Sequence, residues 1–202
     1  MAVTTPTLVH IVCTDAFAGV ERYVLSAAIH AAVRSDVVVI GGAERRMRAP
    51  LEEVGARWLP GPSPVAALRG LRSVGRADVI VTHMTAADVV GAAWAVRSGA
   101  RVVSVRHFAA PRGSRALTRL VITPVARRID AEVAISEFVR DATGASSVVR
   151  TGVPVVAESP SARETIALVV QRLEREKDTA TALRAWQLAQ PLPGWRLQVV
   201  GD

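Results

Sequence analysis

The sequence predicts an α/β fold in which a parallel sheet carries helices on both faces, followed by a second, shorter unit of the same kind. Three observations carry this expectation. Short apolar runs rich in β-branched residues alternate with longer stretches of helical period, the signature of βαβ units. A segment rich in Pro, Gly and Ser then separates these runs from a fresh strand–helix–strand pattern. Finally, 202 residues of which 50% are hydrophobic and 21% charged can bury a substantial core.

The first run, Leu8 to Cys13, reads as a strand. Val20, Val24, Ala27, Ala28 and Ala31 then recur at intervals of three and four residues, as on the buried face of a helix, with Glu21 near the positive end of its dipole. Val37 to Ile40 is the second strand. A helix from about Pro64 to Val74 leads to the strand Val79 to Thr82. Another, from Ala86 to Val96, leads to the strand Val102 to Val105 and is rich in small residues that allow close packing on a sheet. Both are crossover helices. Glu132 to Ile135 and Val148 to Val149 complete the first sheet. Gly152 to Ser161 reads as a linker, dividing the chain into a first domain over 1–157 and the start of a second over 158–202. In the second, Ile166 to Val170 is a strand, Thr179 to Ala189 a helix and Trp195 to Val200 a strand. Its strand–helix–strand stretch, from Ile166 onward, is shorter than the roughly 40 residues at which a chain folds unaided, and its last strand offers an unpaired apolar edge. It is therefore expected to be a truncated domain.

Composition narrows the function. Cys13 is the only cysteine, which leaves no internal disulfide or thiolate cluster and, in its apolar run, predicts a buried structural thiol. The apolar runs fall well short of the roughly 20 residues that span a bilayer. No Lys or Arg precedes the first of them, so no secretory signal is expected and the protein is placed in the cytoplasm. The net charge of +7 suits phosphate, an anionic membrane surface or nucleic acid. Aromatic content of only 4% and scattered arginines argue against nucleic acid. The absence of Gly-x-Gly-x-x-Gly after the first strand, and of Gly-x-x-x-x-Gly-Lys, argues against a nicotinamide dehydrogenase and a P-loop nucleotidase.

Ligands of open α/β sheets sit beyond the carboxyl ends of the strands. After the first strand, the loop Thr14 to Arg22 contains Gly19, where backbone amides can approach an anion at a helix N-terminus; a tight turn that needs glycine explains it equally well. His83 and His107 follow the strands at 79–82 and 102–106 and face the same rim, whereas His10 and His30 read as packing and surface residues. In Val169 to Lys177, Arg172 leaves a strand and Lys177 stands at the start of the next helix, so that two cations converge on one anion site. At about 4 Å and an effective dielectric near 20, each is worth roughly 4 kcal/mol to a phosphate before desolvation. Solvated charges on an exposed helix start are the equal alternative.

Taken together, Ala18 to Tyr23, Ala77 to His83, Val103 to His107, Ala134 to Val139, Thr151 to Pro154, Gln171 to Lys177 and Trp195 to Asp202 resemble, in order and spacing, glycosyltransferase family 4. That family consists of retaining transferases with two Rossmann-like domains in the GT-B arrangement. The resemblance implies that Arg172 and Lys177 hold the diphosphate of a UDP- or GDP-linked sugar and that Gly19 approaches the donor phosphates. His107 would lie beside the transferred sugar, and His83 and Ser136 would line the acceptor side of the cleft. It also implies transfer to a sugar or lipid-linked acceptor hydroxyl in cell-envelope, glycolipid or polysaccharide synthesis; the basic charge is compatible with peripheral contact at the anionic inner membrane face. No Asp-x-Asp triplet occurs, so no metal is expected, and no cofactor beyond the donor. The sequence departs from the family where Ala18, Gln171 and Asp178 stand in place of glycine and Thr151 in place of asparagine. The family's paired glutamates have no counterpart within the chain, so the chain alone is expected to be inactive. The alternative is a non-catalytic remnant that acts as a binding domain.

Overall fold

The computed structural model describes residues 5–110, 112, 122, 124–153, 164–189 and 193–201. The chain divides into two units, Met1–Val153 and Pro154–Asp202. Beyond Val153, the expected linker lies outside the described residues, as does the expected boundary between 157 and 158.

In the first unit the elements follow in the order β1 (Thr7–Val12), α1 (Gly19–Ala31), β2 (Asp36–Ile40), α2 (Glu44–Glu52), β3 (Arg57–Leu59), α3 (Pro64–Val74), β4 (Val79–His83), α4 (Met84–Ser98), β5 (Arg101–Arg106), β6 (Ala131–Ala134), α5 (Glu137–Thr143) and β7 (Ser147–Val148). The strands form one sheet in the order β3-β2-β1-β4-β5-β6-β7, and every pairing is parallel. Helices cover both faces, which is why Val37, Val38, Val39 and Ile40 are all buried and read as a continuous apolar run rather than an alternating one. Val38 and Ile40 pack with Ala67 and Leu71 of α3 on one face. Val37 and Val39 pack with Val24 and Ala28 of α1 on the other.

Helix ends follow local chemistry. Ser63 caps α3 by accepting from the Ala66 amide at 3.3 Å, with Pro64 following, and Ser136 caps α5 by accepting from Val139 at 3.2 Å. On α4, a Cβ at Gly91 would lie 2.5 Å from Thr82 Cγ2, so the small residue is what lets this helix lie close against β4.

Three elements were not anticipated from the sequence. In α2 only Met47 and Leu51 are buried, and Pro50 lies inside the helix, where it normally signals a break. β3 is three residues long, held by Trp58, whose Nε1–H donates to Gly41 O at 2.9 Å. α5 is a short helix between the Ser136 cap and Gly144 at φ 73. Cys13, expected to be buried, is only half-buried, because β1 ends at Val12 and the chain turns there toward the rim.

In the second unit β8 (Ile166–Val170) pairs in parallel with β9 (Arg196–Val200) through the crossover α6 (Thr179–Leu188). None of its described residues is fully buried, and Leu168, Val170, Leu188 and Val200 are exposed.

Gly41 and Gly55 both have positive φ, at 102 and 77, but a Cβ on Gly41 would lie 1.7 Å from Val12 O, whereas one on Gly55 would meet nothing within 4 Å. Gly55→Ala is therefore expected to cost about 1 kcal/mol of stability through backbone strain alone, and Gly41→Ala several times that. Urea denaturation of the two variants checks the contrast.

Candidate functional site

The sheet changes winding direction between β1 and β4, and in open α/β sheets the crevice above such a point is where ligands bind. On one side of it stands the N-terminus of α1. Its N-cap, Ala18, has no side-chain acceptor to occupy the first-turn amides, although its own N–H donates to Glu21 Oε2 at 2.7 Å. Gly19 begins the helix, is exposed, and has open space where a Cβ would be. An uncapped first turn with a bare glycine is open to an anion.

On the other side, sheet register assembles a row of histidines. Val12 of β1 lies opposite His83 of β4, and His83 lies opposite Val105 of β5. Side chains two apart on a strand share a face, so His10, His83 and His107 climb diagonally over three neighbouring strands toward the rim. His10 Nδ1 is 3.1 Å from His83 Nε2, and His83 Nδ1 is 3.0 Å from His107 Nε2. Tyr23 closes over the row with its ring edge-on to His83 and His107, at centroid distances of 5.8 and 5.0 Å. Gly19 is one helical turn before Tyr23 and hence on the same face of α1. Burial holds His10 and His107 down to about 4, and holds His83, which also faces two other imidazoles, well below its ordinary value.

This changes the reading of two histidines. His83 was expected to line the cleft, but it is fully enclosed and reaches the rim only through His107, because the strand extends to include it and turns its side chain under Tyr23 and α1. His10 is a buried residue as expected, yet it is hydrogen-bonded to His83 and through it linked to the rim histidine His107. Met84, directly after His83, has φ 72, a strained conformation for a long side chain and one that clusters at ligand sites. Ser136 stands past the end of β6, half-buried, with its oxygen engaged in capping α5. His30 is exposed.

A second polar cluster, missed in the sequence, lies behind the rim. Arg112 donates from Nε to Asp88 Oδ2 at 2.6 Å, from Nη1 to Glu132 Oε1 at 2.6 Å and from Nη2 to Ser104 Oγ at 2.8 Å. The Thr82 hydroxyl donates to Asp88 Oδ1 at 2.5 Å. Asp88 is the lone acid on the apolar helix α4, and that isolation is the signal that it needs a buried partner. The cluster pins the chain beyond His107 to β5 and β6.

In the second unit Arg172 leaves β8, and Lys177 closes a 3-10 turn, Arg175–Lys177, rather than opening α6, which starts at Thr179. The turn completes itself before the helix because Asp178 adopts a left-handed φ of 46 and caps α6 through Thr181. Arg172 Nη2 and Lys177 Nζ approach the same oxygen, Glu176 Oε1, at 2.7 and 3.7 Å, and Arg172 also pairs with Glu174. The two cations thus converge on one anionic atom, which is a carboxylate of the same loop. Gln171 Nε2 donates to Lys177 O at 3.2 Å and Thr179 Oγ1 at 2.9 Å, stapling the loop shut. Among the described residues no group of three His, Cys, Asp or Glu side chains is arranged to hold a metal ion.

These features define a doubly wound, Rossmann-like α/β fold, with Gly19 and His107 near the switch point. No protein-family model matches the chain, and no curated protein matches it. Among solved structures it superposes on Anabaena HepE in complex with UDP, with a TM-score of 0.71 at 19% identity over 98% of this chain and 61% of that one. The HepE complex with UDP-glucose gives a TM-score of 0.72 at 19% identity, over 97% and 60%. The lipopolysaccharide outer core galactosyltransferase WaaB gives 0.56 at 15% identity, over 98% and 61%. The chain therefore has the GT-B type of Rossmann-like fold, and it spans about 61% of the HepE chain it matches.

Two outcomes are expected. Arg112→Met leaves the carboxylate of Asp88, which is 2% exposed, without its cation, and is expected to cost about 3–5 kcal/mol; adding Asp88→Leu should recover part of it in a double-mutant cycle of urea midpoints. The histidine row makes stability fall with acid. Unfolded imidazoles take protons below about 6.5, but folded His10 does so only near 4. Stability is thus complete above pH 6.5 and declines toward pH 4, by on the order of 3 kcal/mol for His10 alone. Urea midpoints from pH 7 to pH 4.5 should decline more steeply in the wild type than in His10→Phe.

Proposed function

We propose that the chain is the acceptor-side domain and the beginning of the donor-side domain of a family 4 glycosyltransferase, which moves a hexose from a nucleoside-diphosphate sugar to an acceptor hydroxyl with retention. The observation that carries this reading is the superposition of nearly the whole chain on HepE, a protein solved with UDP and with UDP-glucose. The histidine rim and open helix start at the switch point support it from this chain's own residues.

In this reading a sugar hydroxyl or ring oxygen meets His107 at the rim, with Ser136 on the acceptor side and the first-turn amides of α1 at Gly19 offering partial positive charge to phosphate. Within the second unit, Arg172 and Lys177 take the diphosphate, whose oxygens displace the Glu176 carboxylate they share. The acceptor hydroxyl attacks on the face from which the diphosphate departs. The donor is UDP- or GDP-linked, and neither metal nor other cofactor is required. The acceptor is a sugar or lipid-linked sugar of the cell envelope, met in the cytoplasm at the inner membrane face, which the net charge of +7 favours. Transfer belongs to the whole two-domain protein, while the property of this chain open to direct test is donor binding.

Isothermal titration of the chain with UDP, UDP-glucose and GDP is expected to give saturable binding to at least one, weakened tenfold or more in Arg172→Ala/Lys177→Ala. A folded chain that binds none of them, or a double variant that binds as tightly as the wild type, overturns the diphosphate assignment.

A further inference from the structure

The row His10, His83, His107 carries a consequence that does not depend on the transferase reading. A neutral imidazole has one N–H and one bare nitrogen. His83 uses both nitrogens within the row, so its protons have only two arrangements. In the outward one, His10 Nδ1–H donates to His83 Nε2 and His83 Nδ1–H donates to His107 Nε2, which leaves His10 Nε2 bare. In the inward one, His107 Nε2–H donates to His83 Nδ1 and His83 Nε2–H donates to His10 Nδ1, which leaves His10 with an N–H on Nε2.

His10 Nε2 decides between them. It is enclosed, and among the described residues no hydrogen-bond partner reaches it. A buried N–H without an acceptor is rarer and more costly than a buried acceptor without a donor, so the outward arrangement is the stable one. We infer that His10 and His83 are positioning residues that lock His107 in the tautomer carrying its proton on Nδ1, so that the rim presents a fixed hydrogen-bond donor to an oxygen of the ligand in the crevice.

Three features of the structure support the assignment. His107 Nε2 is occupied by His83, and among the described residues His107 Nδ1 has no partner. Tyr23 is packed edge-on against both rings, which restrains them from turning. The row is anchored in β1 and β4, whose pairing in register fixes the spacing of His10 and His83. With its proton on Nδ1 and its other nitrogen engaged by His83, His107 has no basic nitrogen free at the rim. It therefore orients an oxygen acceptor, such as a sugar hydroxyl, and does not withdraw a proton from it. A rim histidine without the row behind it would exchange between tautomers and serve either role.

Long-range proton–nitrogen correlation spectra of the full chain, labelled with nitrogen-15 in histidine, test this at pH 7. The expected result is that His10, His83 and His107 are all neutral with the proton on Nδ1, with nitrogen–nitrogen coupling across both hydrogen bonds. A proton on Nε2 of His83 or His107 overturns the outward arrangement, and this wild-type measurement is decisive whichever variants fold. The positioning role is read in His83→Leu, where the freed His107 ring is expected to move to the averaged shifts of an imidazole exchanging tautomers in water. In His83→Gln, the side-chain amide can still donate to Nε2, and the single tautomer is expected to return. A His107 that keeps one tautomer in a folded His83→Leu, or fails to regain it in a folded His83→Gln, overturns that role.

Discussion

The parallel pairing of β1 with β4 is the contact on which the rest of the first unit depends. It joins two halves of the sheet that wind in opposite directions, and the helices that follow these strands leave on opposite faces, which opens the crevice above their ends. The same pairing sets Val12 opposite His83, and so brings His10 within hydrogen-bonding distance of it. Because side chains alternate between faces, a slip of one residue would send His83 to the other side of the sheet from His10 and Tyr23. The geometry of the rim is thus a property of strand register, held by a long run of backbone hydrogen bonds.

Two buried polar clusters of this unit are satisfied largely within themselves, whereas Trp94 Nε1 is buried without a partner among the described residues. Asp88, Arg112, Glu132, Ser104 and Thr82 complete one another's bonds, so the burial of charge is compensated by direct pairing. The histidine row solves the problem differently: burial removes the charge, leaving neutral rings that satisfy each other in series. One fully buried nitrogen, His10 Nε2, has no partner among the described residues, and its cost gives the row a direction. Both clusters lie near the carboxyl ends of the strands, where the first positions the chain after β5 and the second positions His107 itself.

Much of the fold was legible in the sequence. The strands at Val37, Val79 and Val102 and the helix at Pro64 announce themselves because period and capping agree with burial on both faces of a sheet, and the strand at Ile166 by its unbroken apolar run. The elements that escaped, α2, β3 and α5, are short or carry a proline, and owe their form to tertiary contacts such as Trp58 with Gly41 O and with the Arg48 guanidinium at 5.0 Å. Of the candidate residues, His83 and His107 were recognisable from their place after strands. His10 was not recognisable as their partner, because a histidine in the middle of an apolar strand looks like any packed side chain until the neighbouring strand is known. Arg112 was equally hidden, because it stands 24 and 20 positions from Asp88 and Glu132 and the sequence does not state which residues meet over such distances.

The sequence by itself determined the class of fold, the longer strands and helices in their chain order and the residues that follow those strands, because these depend on periodicity and turn chemistry within a few residues. Only the tertiary structure decided the strand order, the enclosure of His83 and the row of three imidazoles. Those features depend on which strand lies beside which, and in what register. Such pairing is fixed by packing between segments as far apart as positions 10 and 83, over which local sequence preference has no reach.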